Sequence, residues 1–273
     1  MNIEYVKFGN GGRVPKHVYK YRSWANDLHK SLITSRKTYF ASPLSFDDPL
    51  DCKIMPDYSL LTKDEIYKKY LELSRTEHPN WPRQRHRKHA RDWTKHTPLK
   101  DTEHIKELQE EHFKEFNSRF GVLSMTANSG NIRMWDAYSD NHSGFCVGFN
   151  FVVLFNDPAH FGGGGQVVYY DELPVIHPNA PFAEQSCIQT FSKERKWEFE
   201  EEYRLHKFWE SAADDLMRTA IVPREAYSMI IFGAKMEKQE IREIIDIAEI
   251  NELPVQYKQA VLGEREISII DYS

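Results

Sequence analysis

The chain has 273 residues, a formal net charge of −5 and an aromatic share of 13%. That length suits one large domain or two small ones, and the aromatic content excludes a disordered chain. The modest net charge gives no overall attraction to nucleic acid or to an anionic membrane, so such a contact would need a local patch.

The cysteines and the N-terminal residues indicate the compartment. Cys52, Cys146 and Cys187 are widely spaced and predict neither a disulfide framework nor a zinc-binding pair. The N-terminal residues lack an apolar stretch of signal-peptide length, and no window approaches the roughly 20 apolar residues of a membrane span. We therefore expect a cytoplasmic protein in a reducing setting, with no membrane contact.

The first half of the chain alternates short strands with helices. The residue patterns predict strands at 17–22 and 37–43 on either side of a helix at 24–34. Residues 62–118 are charged and mostly helical in propensity, with too few apolar residues for a core of their own. We interpret them as a helical insertion in a single domain that spans 1–273.

Short strands resume after residue 120. They are predicted at 121–127, 144–150, 165–171 and 202–208, and again in TAIVP, YSMIIFG and REISIID. Helices are predicted around MWDAYS, at 182–196 and at 237–250, where isoleucines recur at the spacing of a packed helix face. Such short, interrupted strands exclude a doubly wound parallel sheet. They predict an α+β fold with mixed or antiparallel sheets and flanking helices.

The segment 83–95 is strongly basic, with Trp81 just before it and Trp93 inside it. Its charged residues are Arg83, Arg85, Arg87, Lys88, Arg91 and Lys95, against Asp92. Basic residues interleaved with aromatic ones can bind phosphates or stack on bases. The alternative is a solvated helix face whose charge is offset by the acidic stretch 101–115.

Two groups of carboxylates are candidates for chemistry. Asp47, Asp48 and Asp51 lie within one five-residue turn, which can hold a divalent cation or form ordinary Asx-turns. If 199–205 is extended, Glu200 and Glu202 share one face, about 7 Å apart at their Cα atoms. Two carboxylates in one cleft raise the pKa of one of them and give a base beside a charged anchor. The alternative is a structural ion pair with an arginine on the same face.

Four stretches resemble, in the same order, the motifs of a large and mostly bacterial family, domain of unknown function 2971. The resemblance covers nearly the whole chain except 62–118, and Asp47 stands where the family usually has asparagine. The matching residues are Tyr19 to Arg22; Tyr39 to Asp51; Met134, Trp135, Tyr138, Asp140, His142, Gly144, Phe145 and Cys146; and Trp197, Glu200, Glu202, Tyr203 and Arg204.

The order of these motifs is similar to that of compact ADP-ribosyltransferases, which implies an ADP-ribosyltransferase-like fold and NAD as the substrate, with no metal. The implied catalytic residues are Arg22 on the first core strand, Ser124 (or Tyr39) on a middle strand, and Glu202 with Glu200 on a late one. Arg22 would neutralise the NAD diphosphate, and Glu202 would stabilise the transition state as nicotinamide leaves. The implied substrate-binding residues are Tyr21, Tyr39, Ser42, Asp48, Trp135, Tyr138 and Arg204.

Three functions follow as hypotheses. The first is an NAD-using ADP-ribosyltransferase or NAD glycohydrolase, a toxin or phage-defence effector, with a nucleic acid or protein acceptor docked on 83–95. The second is a nuclease that holds Mg²⁺ with Asp48, Asp51, Glu200 and Glu202. The third is a non-catalytic sensor or interaction module, in which Glu202 is buried against Arg204 or Arg22 with no open pocket beside it.

Overall fold

The computed structural model describes residues 5–8, 12–157, 163–264 and 266–273, which form an α+β fold. The strands are β1 (Tyr5–Phe8), β2 (Gly12–Pro15), β3 (His17–Arg22), β4 (Lys37–Tyr39), β5 (Phe120–Thr126), β6 (Phe145–Asn150), β7 (Gly163–Gln166), β8 (Val168–Tyr170), β9 (Ser192–Glu194), β10 (Glu202–Phe208), β11 (Thr219–Ile221), β12 (Tyr227–Phe232), β13 (Gln256–Leu262) and β14 (Ile267–Asp271). The helices are α1 (Asp27–Thr34), α2 (Lys63–Glu77), α3 (Arg83–Lys95), α4 (Thr102–Ser118), α5 (Ile132–Tyr138), α6 (Phe151–Phe155), α7 (Phe182–Phe191), α8 (Asp215–Arg218) and α9 (Lys238–Ile250).

An eight-stranded sheet forms the centre of the molecule, in the order β14-β13-β12-β6-β3-β5-β10-β7. Its neighbouring strands are antiparallel except β12 and β13, which are parallel. The sheet is therefore mixed but mostly antiparallel, as the short strands predict. No helix within the described ranges is both long enough and apolar enough to cross a membrane.

The alternation of side chains along the central strands builds two apolar layers. On one face, α1 and α9 pack over the strands, with Ile33, Ile244 and Leu205 completely buried. On the other face, α5 places Trp135 against Tyr21 of β3, with ring centroids 5.0 Å apart. The regular 3.6-residue stripe of α9 is the sequence pattern that predicts the first of these contacts.

The sheet is incomplete between β3 and β5. The two strands share a single residue pair, Tyr19 with Thr126, whereas β5 pairs with β10 over seven positions. Toward Arg22 on one strand and Ser124 on the other, the backbones are no longer paired. A gap in the middle of a sheet leaves room for side chains and for a ligand, and the candidate site lies there.

Several element boundaries differ from the sequence predictions. The predicted helix 182–196 ends at Phe191 and continues as β9, and β13 has no counterpart among the predicted strands. The predicted strand 202–208 is confirmed as β10, but the extended conformation considered for 199–205 does not hold before Glu202, because Arg195–Glu200 forms a 3₁₀ helix and Glu201 adopts a left-handed conformation with φ of 44°. Strand alternation therefore does not set the position of Glu200.

Candidate functional site

A pocket of about 270 Å³ opens at the gap between β3 and β5. This volume is just below the usual range of about 300–1,000 Å³ for small-molecule sites and suits a group the size of a nucleoside. Of the residues that the sequence resemblance implies, the pocket is lined by Tyr21, Arg22, Asp48, Ser124, Tyr138, Glu200 and Glu202. It is also lined by residues outside the implied catalytic and substrate-binding residues, namely Lys20, Phe46, Asp51, Lys193 and Trp197.

One side of the pocket is formed by Lys20 and Arg22 of β3, which we call the cationic wall. The ammonium group of Lys20 donates a hydrogen bond to the Ser124 carbonyl across the gap. Arg22 donates to the Tyr21 carbonyl at 3.3 Å and forms no ion pair with a carboxylate of the described residues. Burial lowers the pKa of Arg22 to about 10. Burial and then the charge of Arg22 lower the pKa of Lys20 well below its ordinary value. An anionic ligand would therefore stabilise the charged forms of both Lys20 and Arg22.

The turn after α5 fixes the end of β3 that carries Arg22. Asp140, Asn141 and His142 all have positive φ, an uncommon run for residues other than glycine. His142 is held by Asp136, with its Nε2 atom 2.7 Å from Oδ1. A Cβ atom at Gly144 would lie 2.2 Å from the Arg22 carbonyl oxygen, so only glycine fits this close approach. The spacing of the Asp-x-His-x-Gly motif thus has a structural reason.

The opposite side of the pocket rests on five charged side chains, Asp51, Lys193, Glu200, Glu202 and Arg204, which we call the ionic floor. The side chain of Arg204 is 0% exposed. It binds Glu202 through two parallel contacts, Nε to Oε1 and Nη2 to Oε2, each 2.8 Å long. The same guanidinium contacts both Asp51 oxygens at 2.8 Å and donates to the Thr190 carbonyl at 2.7 Å. Arg204 is therefore the buried anchor of the floor and does not line the pocket.

Lys193 is the second cation of the floor and does line the pocket. Its Nζ atom lies 2.5 Å from Glu200 Oε2, 3.3 Å from Glu202 Oε2 and 3.4 Å from Asp51 Oδ2. Burial by itself would lower the pKa of Lys193, but the three carboxylates outweigh burial and raise it. Sequence reasoning missed this residue, although a surplus of buried carboxylates is a signal that a buried cation is needed.

The local chain path explains how Glu200 and Glu202 meet. Glu200 is the last residue of the 3₁₀ helix, Glu201 follows in a left-handed conformation, and β10 then begins with Glu202. Asn128 stabilises this turn through a 2.8 Å hydrogen bond from its Nδ2 atom to Glu201 Oε1. The sequence interpretation correctly groups Glu200 with Glu202, but it attributes their proximity to strand alternation. In the structure, the turn at Glu201 and the shared contact with Lys193 bring them together.

The electrostatics of Glu202 differ from those of a general base. Burial would raise the pKa of this carboxyl, but Arg204 and then Lys193 more than compensate, and the pKa falls to about 2. Glu202 therefore corresponds to the charged anchor of the expected pair and not to its base. The carboxylate stays ionised across the physiological pH range, which suits a fixed negative charge that stabilises a developing positive one.

Three further side chains give the pocket its polar character. Tyr138 donates from its hydroxyl to Glu200 Oε1 at 2.7 Å, and burial with the neighbouring Glu200 raises the pKa of that phenol. Within the described residues, Asp48 Oδ2 and Trp197 Nε1 are buried and have no hydrogen-bond partner. Buried polar atoms normally have hydrogen-bond partners. These two therefore point to a ligand that donates a hydrogen bond to Asp48 and accepts one from Trp197.

Three of the implied binding residues lie away from the pocket, in addition to Arg204. Tyr39 is on β4 and donates to Asp215 at 2.8 Å. Ser42 caps a 3₁₀ turn and donates to the Asn117 carbonyl at 2.9 Å. Trp135 is completely buried behind Tyr21 and donates to the Ser129 carbonyl at 2.9 Å. Their contacts give each of them a structural role.

The contacts of Asp51 and Glu202 bear on both the nuclease hypothesis and the module hypothesis. Asp51 and Glu202 do lie close together, but Lys193 and Arg204 occupy the space between them. Within the residues that the structure describes, no three His, Cys, Asp or Glu side chains are grouped to hold a metal ion. Glu202 is buried against Arg204, as the module hypothesis requires, yet an open pocket lies beside it, which that hypothesis does not expect.

Comparison with known proteins supports the family resemblance over part of the chain. A family model described as "Protein of unknown function (DUF2971)" matches residues 134–205. That segment supplies Tyr138, Lys193, Glu200 and Glu202 to the pocket. No curated protein and no solved structure matches the chain. The match supports the family resemblance within 134–205 and does not bear on the resemblance to ADP-ribosyltransferases.

Proposed function

We propose that this chain binds NAD in its pocket and cleaves the nicotinamide–ribose bond; the family model that matches residues 134–205 is described without a function. The observation that carries the proposal is the pairing of opposite walls in one cavity. Arg22, which forms no ion pair with a carboxylate of the described residues, and the adjacent Lys20 line the same pocket of about 270 Å³ as the ionic floor. NAD carries both an anionic diphosphate and a glycosidic bond whose cleavage develops positive charge on the ribose.

The cationic wall, Glu202 and Glu200 have different roles in this reaction. The cationic wall binds the diphosphate through charge-assisted hydrogen bonds. As the bond between the ribose carbon and the nicotinamide nitrogen breaks, its electron pair leaves with nicotinamide, and the carboxylate of Glu202 stabilises the resulting oxocarbenium-like ribose. Glu200 orients the attacking water and accepts its proton, giving ADP-ribose.

With an acceptor present, the same steps transfer ADP-ribose to the acceptor instead of to water. We expect a nucleic acid or protein acceptor to approach through 83–95. On this proposal the protein acts in the cytoplasm, where NAD is available, as a toxin or a phage-defence effector.

Binding by the cationic wall is the first test. We expect NAD to raise the thermal unfolding midpoint of the protein, and Arg22→Ala to weaken NAD binding by about 10-fold to 100-fold, because a hydrogen bond between charged groups is lost. Calorimetric titration measures the change. Arg224→Ala, which removes an exposed arginine paired with Glu252, is the matched control and should leave the affinity unchanged. If the protein neither binds nor cleaves NAD, alone or with cell lysate, the proposal is wrong.

The pH dependence of binding tests Lys20. An anion bound next to this ammonium favours its charged form, so binding is strongest while the free protein holds that proton. Because the pKa of Lys20 is lowered, affinity for ADP-ribose should fall as the pH rises, starting well below the ordinary lysine pKa of 10.5. Lys20→Arg should move that fall to higher pH, toward the value of about 10 set by Arg22. Titrations at a series of pH values measure both proteins, and identical profiles would exclude this role for Lys20.

One observation favours a second function, a nucleotide-binding module without catalysis. Both oxygens of Glu202 already accept contacts from Arg204, and Lys193 adds another. A carboxylate so fully engaged has less freedom to interact with a ribose. Nicotinamide release distinguishes the two functions. NAD would raise the unfolding midpoint of a non-catalytic module, but no nicotinamide would be released.

A further inference from the structure

Helix α3 presents a row of cations that the pocket does not use. Within the described residues, none of these side chains forms a hydrogen bond or an ion pair, and all are exposed. In the part of the chain that the structure describes, no ion pair joins α3 to the acidic helix α4. We call this set the basic stripe; it consists of Arg83, Arg87, Lys88, Arg91 and Lys95.

The spacing of the basic stripe works against the stability of its own helix. Arg83, Arg87, Arg91 and Lys95 follow one another at four-residue intervals, so they form a ladder about 18 Å long with like charges adjacent. The first turn of α3 has no acidic residue and no side-chain cap, although Arg83 and Arg85 lie at its positive end. A helix selected for stability alone would carry alternating charges here, so the ladder indicates a binding role.

The neighbouring contacts hold α3 rigidly and leave one aromatic ring available. His86 and Ala90 are buried toward α2, and His86 Nδ1 lies 2.9 Å from Ser74 Oγ. Trp81 is covered by Arg85, whose guanidinium carbon is 3.9 Å from the ring centroid. Trp93 is 46% exposed, and its orientation is fixed by a 2.9 Å hydrogen bond from Nε1 to His89 Nε2.

We propose that the basic stripe binds the phosphodiester backbone of a single-stranded nucleic acid, with Trp93 stacking on a base. A regular cationic ladder can follow successive phosphates, and Trp93, an exposed ring elsewhere on the circumference of the same helix, offers a stacking surface of the kind that single-strand binders use. The remainder of the chain is acidic, since the net charge is −5 despite this helix, so an anionic polymer is directed to α3. The inference concerns α3 alone and does not depend on NAD cleavage.

Fluorescence anisotropy with labelled single-stranded RNA and DNA of the same sequence tests the proposal. Five phosphate contacts predict a plot of log affinity against log salt with a slope of about −3.5. Replacing Arg87 and Arg91 with glutamine should weaken binding by about tenfold at low salt and reduce the magnitude of the slope by about 1.4. Trp93→Ala should weaken binding on the order of tenfold without changing the slope.

The matched control is the double variant Lys238→Gln and Arg242→Gln, which removes an exposed pair at the same four-residue spacing on α9. It should leave the affinity and the salt slope unchanged. Circular dichroism should show that every variant keeps its helix content, because all these side chains are exposed. The comparison of RNA with DNA shows which polymer is preferred, and preference for either supports the proposal.

Three outcomes would overturn it. Binding to poly-glutamate as tight as binding to the single strands would assign the basic stripe to an acidic protein partner. Equal or tighter binding to a duplex of the same sequence would exclude the single-strand assignment. An unchanged affinity in the Arg87 and Arg91 double variant would remove the stripe from the binding surface.

Discussion

Arg204→Met is expected to lower the free energy of unfolding by about 3–5 kcal/mol, because it removes one of the two buried cations that offset Asp51, Glu200 and Glu202. The side chain that is lost is 0% exposed and neutralises both Asp51 and Glu202. Urea unfolding followed by circular dichroism measures the loss. If the variant is too unstable to purify, Arg204→Lys keeps the charge but not the two parallel contacts, and it should be destabilised to a smaller extent.

The control for this prediction is Arg195→Met. Arg195 also has two carboxylate partners, Asp171 and Glu198, but its side chain is 47% exposed. Solvent screens such pairs, so this substitution should change stability little. Equal effects of the two substitutions would show that the ionic floor does not carry the stability assigned to it.

Glu202→Gln is expected to reduce nicotinamide release by about 10²-fold to 10³-fold while NAD still raises the unfolding midpoint. The physical reason is that the neutral amide no longer stabilises positive charge on the ribose, an effect that commonly has this size for one preorganised group. Measuring release together with NAD-dependent stabilisation separates catalysis from binding. Because the pKa of Glu202 is about 2, the wild-type rate should show no decline from this group until the pH falls well below 5.

Glu201→Gln is the matched control, since this adjacent carboxylate bonds to Asn128 and does not line the pocket. It should keep the wild-type rate. A Glu202→Gln variant that releases nicotinamide within threefold of the wild-type rate would remove Glu202 from the chemistry. Absence of release from the wild type, with NAD bound, would support the non-catalytic module instead.

The sequence predicts the fold class and much of the pocket because the signals for them can be read along the chain. Hydrophobic periodicity is visible within a short window, and the motifs occur in a fixed order. The alternation in β10 places Glu202 and Arg204 on one face, and the isoleucine stripe of α9 identifies the covering helix. The strand β13 is missed because its sequence, QYKQAVL, does not alternate between apolar and polar residues.

Lys193 and the left-handed turn at Glu201 could not be predicted in this way. The role of Lys193 depends on carboxylates from β10 and from the distant Asp51, so no short window contains the reason for it. The turn at Glu201 replaces an extended residue by one with φ of 44°, and a charged residue gives no sequence signal for that conformation. Tertiary contacts, including the bond from Asn128, decide both features.

The strand order of the central sheet has a consequence for the segment that the family model recognises. Within the matched segment 134–205, β6 and β10 are not neighbours: β6 pairs with β3 and β12, and β10 pairs with β5 and β7. The cationic wall, Ser124 and Asp51 all come from outside that segment. The recognisable segment is therefore a set of interleaved strands that requires the surrounding chain to fold, so a boundary drawn around it would divide both the sheet and the pocket.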